Sequence, residues 1–104
     1  MNTPWGQADH VERLAYGIVR VSTPSHGGYF VPVAVRGRIP EHRQQQAEGW
    51  SGPGWYEEDC EWASVALAFP ELFDRAELAD AARVVRDWID HTAALAMNER
   101  EASI

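Results

Sequence analysis

The apolar positions change their rhythm along the chain. Between Gly17 and Thr23, Val19, Val21 and Thr23 fall on one side and Ile18, Arg20 and Ser22 on the other. This period-two pattern, dominated by β-branched residues, predicts a strand. Pro24-Ser25-His26-Gly27-Gly28 supplies a turn, and Tyr29 to Val35 reads as a second strand. Pro32 lacks a backbone donor, which assigns that strand to an edge or a bulge. Residues 8–15 fit two patterns. Val11, Leu14 and Ala15 suit a helical face, whereas Val11 and Arg13 alternate as in a strand. Two strands do not hold together alone in water, so the sheet needs a third strand, from residues 8–15, or helical cover.

Beyond Pro40 the rhythm becomes helical. A short exposed helix is expected over 40–48, then a loop over 49–56. A central helix is expected over 57–69, with Trp62, Val65, Ala66 and Phe69 in one stripe and Cys60, Ala63 and Leu67 widening it. Pro70 ends it. Asp74 and Glu77 have the spacing of a capping box. They open a helix over 75–97 that turns Leu78, Ala82, Val85, Ile89 and Ala93 inward and pairs Arg83 with Asp87 and Arg86 with Asp90. Residues 1–7 read as an arm and 98–104 as a frayed tail. The expected fold is α+β in a single domain over 1–104: a small antiparallel sheet of about three strands in the N-terminal half, packed by two main C-terminal helices.

Composition narrows the classes. The chain has 104 residues, 45% of them hydrophobic, with five tryptophans and one cysteine. This suits a folded protein with one modest core and no internal disulfide. No apolar run approaches a membrane span and no basic-then-apolar leader opens the chain, so a cytoplasmic protein without membrane contact is expected. The formal charge is −7. That balance argues against direct nucleic-acid binding, which needs a basic surface to displace counterions, and suits a basic protein partner.

Candidate chemistry concentrates between Gly49 and Trp62, where Glu57, Glu58, Asp59 and Glu61 stand among Trp50, Trp55, Tyr56, Trp62 and Cys60. Four carboxylates so close must find solvent, arginines, a metal or a shared proton. Arg13, Arg20, Arg36 and Arg38 are the available arginines. His26, beside Ser25 on the Ser22–Gly28 turn, could face these acids as a general base and is the candidate catalytic residue. Cys60 falls on the apolar stripe and reads as a core thiol, its pKa raised by the surrounding acids. His10, His26 and the acidic block offer metal ligands, but no zinc spacing occurs and neither a metal nor a cofactor is expected. No phosphate-binding glycine loop or serine nucleophile elbow is present.

Thr3-Pro4-Trp5-Gly6, Ser22-Thr23-Pro24-Ser25-His26-Gly27-Gly28, Gly54-Trp55-Tyr56-Glu57-Glu58-Asp59-Cys60-Glu61-Trp62-Ala63 and Ala68-Phe69-Pro70 occur in this order. The pattern resembles an uncharacterised family of small domains from bacteria, phages and plasmids, classed as a domain of unknown function. The resemblance covers roughly residues 3–90 and implies a mobile-element context, with no activity to carry over. The expected function is a non-catalytic acidic protein-binding module, with Trp55, Tyr56, Glu57, Glu58, Asp59, Glu61, Ser25 and His26 as binding residues. The mobile-element context extends this to an inhibitor in anti-defence, for example anti-CRISPR or anti-restriction. The alternative is a small metal- or acid/base-dependent hydrolase with its site between the Ser22–Gly28 turn and the start of the helix at Glu57–Glu61. The oligomeric state is not legible.

Overall fold

The computed structural model describes residues 1–87. An N-terminal hairpin pairs β1 (Asn2–Thr3) with β2 (Gly6–Gln7). The main sheet is antiparallel and four-stranded, in the order β3 (His10–Arg13), β4 (Val19–Ser22), β5 (Gly27–Phe30) and β6 (Trp55–Glu57). Helices α1 (Val33–Arg36), α2 (Glu41–Ser51) and α3 (Trp62–Ala68) follow the chain, and a further helix, α4, occupies the described residues 75–87. The α+β class is as expected, but the sheet has four strands and a separate hairpin rather than about three strands.

The extra strands come from segments whose patterns are short or ambiguous. Residues 8–15 resolve as β3, which lies against β4 with Val11 opposite Val21 and Glu12 opposite Arg20. The arm over 1–7 is the β1–β2 hairpin, stapled by Thr3, whose Oγ1 donates to Gly6 O at 2.6 Å. The fourth strand arises inside the expected loop over 49–56. α2 continues to Ser51, Gly52 and Gly54 turn the chain with positive φ (94° and 84°), and Trp55 to Glu57 then pair with β5. Glycine adopts that backbone at little cost. The helix expected over 57–69 is therefore shorter, beginning at Trp62 after a turn over 58–60.

The second strand is also shorter than Tyr29–Val35. Pro32 lies at the N-cap of α1 rather than in an edge strand or bulge, because its fixed φ of −63° suits a helix start. Arg36, at the end of α1, reaches back with Nε and Nη2 donating to Val31 O at 3.1 and 2.9 Å. Val31 N in turn donates to Gly54 O at 2.8 Å, tying the loop before β6 to the sheet.

One sheet face carries the main core, in which Tyr29 and Tyr56, opposite each other in the ladder, pack with Val65 and Phe69. A second cluster joins Ala63 and Ala66 of α3 to Ala81 and Val85 of α4, with Trp62 and Phe73 touching both. The capping box forms as the spacing predicts: Glu77 N donates to Asp74 Oδ1 at 2.8 Å, and Asp74 N to Glu77 Oε1 at 3.0 Å. Within α4 Ala81 and Val85 are buried, whereas Ala82 is exposed, and Arg83 pairs with Asp80 instead of Asp87. The Arg86–Asp90 pair, the helix beyond residue 87 and the tail over 98–104 lie outside the described residues. No helix among the described residues is long and apolar enough to cross a membrane.

Candidate functional site

The strand at Trp55–Glu57 decides where the acidic block goes. Successive side chains of a strand point to opposite faces. Tyr56 therefore turns into the core, 1% exposed, while Trp55 and Glu57 turn to the other face. There Trp55 meets Trp5 edge-on (centroids 5.6 Å apart) and packs on Phe30 at 5.0 Å. Trp5 lies over Gly28: a Cβ at that position would collide with its indole ring and with Tyr56 O.

Glu57 lies beside His26, whose Nδ1 is 3.6 Å from Glu57 Oε1. The expected meeting of the turn with the acidic block does occur at this pair. The turn itself is closed by Thr23, whose Oγ1 donates to His26 O at 2.7 Å and accepts from His26 N at 3.0 Å. Ser25 is exposed at its tip. Burial, then the neighbouring Asp59 carboxyl, raise the Glu57 pKa above its ordinary range, and His26 opposes them.

Glu58 continues the alternation past the end of the strand. Its N–H donates to Gly27 O at 3.0 Å, and its carboxylate lies across Gly27, where a Cβ would sit 2.8 Å from Oε2. Asp59 and Cys60 are exposed in the turn. Cys60 is thus not a core thiol: the turn over 58–60 replaces the helical register that would have put it on the buried stripe. Leu67, expected on the same stripe, is likewise 43% exposed. The Cys60 pKa is raised, first by partial desolvation and then by Asp59, Glu57 and Glu61.

Glu61 turns back inward and is 7% exposed, with Oε2 accepting from Glu57 N at 3.1 Å. Burial raises its pKa, and that hydrogen bond partly offsets the rise. The four acids are therefore separated by strand alternation and a turn, not neutralised by arginines. Arg36 serves Val31 O, Arg38 pairs with Glu71 at 3.0 Å, and Arg13 and Arg20 form no ion pair among the described residues. No group of three or more His, Cys, Asp or Glu suited to hold a metal occurs among the described residues.

The cleft of this structure lies on the Glu58 side. It spans about 610 Å³ between strands β3, β4 and β5 and the helices, within the usual size range of ligand sites. Glu12, Arg20 and Tyr29 come from neighbouring strands, Glu58 from the turn, and Trp62 and Glu77 from α3 and α4. Gly27, without a side chain, leaves room for the Glu58 carboxylate. His10 lines the cleft, whereas His26 does not. Of the expected binding residues, Trp55, Glu57 and His26 share the opposite face, Tyr56 and Glu61 are buried, and Glu58 alone lines the cleft. Sequence reasoning missed Glu12, Arg20 and Tyr29 as site residues, and took Trp62 for core and Glu77 for a cap alone. The strand alternation that sets Arg20 on the side opposite Val19 and Val21 was the available signal.

A family model described as a domain of unknown function, DUF7007, matches residues 1–103. No curated protein and no solved structure matches the chain.

Proposed function

The chain belongs to the DUF7007 family, and from that premise we propose that it is a non-catalytic binding protein whose acidic cleft face receives a basic protein partner. The observation that carries this reading is convergence: Glu12, Glu58 and Glu77, from a strand, a turn and a helix, line one cleft in which Arg20 is the only arginine among the described residues. The net charge of −7 would steer a basic surface toward it. Trp62 offers the aromatic wall on which interfaces commonly anchor. A partner with a nucleic-acid-binding surface has that chemistry, so a mobile-element inhibitor of a nuclease or CRISPR complex is one form of the proposal.

A tagged pull-down from host lysate, with and without nuclease treatment, tests the reading. A near-stoichiometric basic protein, retained after nuclease and lost in a Glu12→Gln/Glu58→Gln/Glu77→Gln variant that still melts cooperatively, is the expected result. Absence of any such protein overturns it.

The second reading, a small acid/base-dependent hydrolase at the Ser22–Gly28 turn, draws on the His26–Glu57 contact. It predicts turnover of chromogenic ester or phosphodiester substrates that His26→Ala abolishes. Equal rates in the two proteins would remove it.

A further inference from the structure

The main sheet ends in two edge strands, β3 and β6, and their outward main-chain groups are treated differently. Main-chain groups of an antiparallel strand point alternately to its two sides. On β6, Glu58 N donates to Gly27 O, so Tyr56 turns its main chain toward β5 while Trp55 and Glu57 turn theirs outward. Both outward N–H groups are satisfied within the chain. Trp55 N donates to Gly52 O at 3.2 Å, and Glu57 N donates to Glu61 Oε2 at 3.1 Å. The buried Glu61 carboxylate thus caps an edge.

β3 has no such cover among the described residues. Thr23 N donates to His26 O, so Val19 and Val21 turn their main chain to β5, and Arg20 and Ser22 turn theirs to β3. Opposite Arg20 and Ser22 stand Glu12 and His10, which leaves the N–H and C=O groups of Val11 and Arg13 pointing away from the sheet. Neither N–H has a hydrogen-bond partner among the described residues. All of β3 is exposed, Val11 at 46%. An open edge of this kind is a template for pairing with another strand.

We infer that β3 pairs with β3 of a second copy of this chain, antiparallel and centred on Val11, to form a two-fold dimer with one continuous sheet. Charge selects both the occupant and the register. With Val11 facing its own copy, Glu12 stands opposite His10 of the second copy, and Arg13 opposite its Asp9. Among the described residues neither Arg13 nor Asp9 forms an ion pair, and the Asp9 carboxylate accepts one long hydrogen bond, 3.5 Å, from Ser22 Oγ. A register centred on Glu12 would set that carboxylate against its own copy, which disfavours it. At the axis the N–H and C=O of Val11 exchange hydrogen bonds with those of the second Val11, a self-complementary contact. A continuous sheet keeps equivalent faces on one side, so the two clefts adjoin along His10 and Glu12.

Sedimentation velocity of the whole protein tests this at about 0.15 M salt, where repulsion between two acidic copies is screened beyond about 8 Å. Over about 10–500 µM, a range suited to a small interface, the average mass is expected to climb toward that of a dimer. Val11→Pro deletes the outward N–H without removing a bond to β4 and is expected to weaken association at least tenfold. Arg13→Glu and Asp9→Arg each set like charges across the axis and are expected to weaken it at least fivefold. Mixed in equal amounts, these two charge variants should recover association, because only the mixed dimer restores opposite charges at both ends of the paired strands. Cooperative melts establish that each variant is folded. A monomer throughout the range would overturn the inference. So would a dimer that folded Val11→Pro leaves intact, or a mixture that associates no better than its two components.

Discussion

On one face of the sheet Glu57 stands beside His26, with Trp5 and Trp55 nearby; on the other, Glu58 lies over Gly27 at the cleft. The two carboxylates are adjacent in sequence and differ only in the direction in which the backbone presents them. The Glu57 face is closed by an aromatic cluster seated on Gly28, and its carboxylate is crowded by Asp59. The Glu58 face opens on the cleft, where Gly27 has no side chain and leaves room for the carboxylate. Strand alternation therefore splits one acidic run between an aromatic-packed face and a cleft, a division that charge density alone does not reveal.

The sharpest way to break this comparison is to add one methyl group to each face. Gly28→Ala drives a Cβ into Tyr56 O and the Trp5 ring, and an overpacked site of this kind costs about 3 kcal/mol. Gly27→Ala meets the movable Glu58 carboxylate at 2.8 Å and Val21 O at 3.0 Å, so a loss of about 1 kcal/mol is expected. Urea unfolding of the two variants measures the difference, and equal midpoints would mean that the faces are not distinct.

Tryptophan truncation comes next in size. Trp62→Ala removes a half-buried ring from both apolar clusters and should cost about 2–3 kcal/mol, below the range for a fully buried aromatic. Trp50, 81% exposed, should change stability by no more than about 0.5 kcal/mol when replaced by Ala. Thermal melts that rank them otherwise would relocate the core.

A smaller effect concerns pH. Glu57 and Glu61 have folded pKa values raised above the ordinary 4.5, mainly by burial. Between that ordinary value and the raised one the folded protein binds more protons than the unfolded chain, so stability falls as pH rises through this window. Glu57→Gln removes one such carboxylate. The loss of stability from pH 4.5 upward should then be shallower in the variant than in wild type, and parallel melting-temperature profiles would contradict the assignment.

The smallest effect is chemical. Cys60 is exposed but its thiolate is disfavoured by desolvation and by Asp59, Glu57 and Glu61. Disulfide-exchange reagents at pH 8 should label it completely in the native protein, though more slowly than a free cysteine, and Asp59→Asn should accelerate labelling. A native thiol that resists labelling would restore the core reading.

Much of this was legible where one element carries its own signal. β4 shows alternation and β-branched residues, and the capping box at Asp74 and Glu77 needs only a spacing of three. β6 was not legible, because three residues cannot establish a period and its partner strand contains Gly27 and Gly28, which hide the alternation. Extending the α3 stripe back past Trp62 then placed Cys60 in the core and Glu57 at a helix start. The meeting of His26 with Glu57 was anticipated in the sequence as a turn that could face the acidic block. The cleft could not, since Glu12, Arg20, Tyr29 and Glu77 share no sequence neighbourhood and meet only through register and helix docking.

The place of β6 at the end of the sheet also orders the events of folding. β3, β4 and β5 join through short turns, whereas Phe30 must find Trp55 across residues 31–54. Closing the longer loop carries the greater entropic cost and slows the contacts that depend on it. The three-stranded meander can form from local encounters, and Glu58 reaches Gly27 only when the fourth strand arrives. In kinetic terms the cleft face is a late product of folding, completed after the three strands that support it.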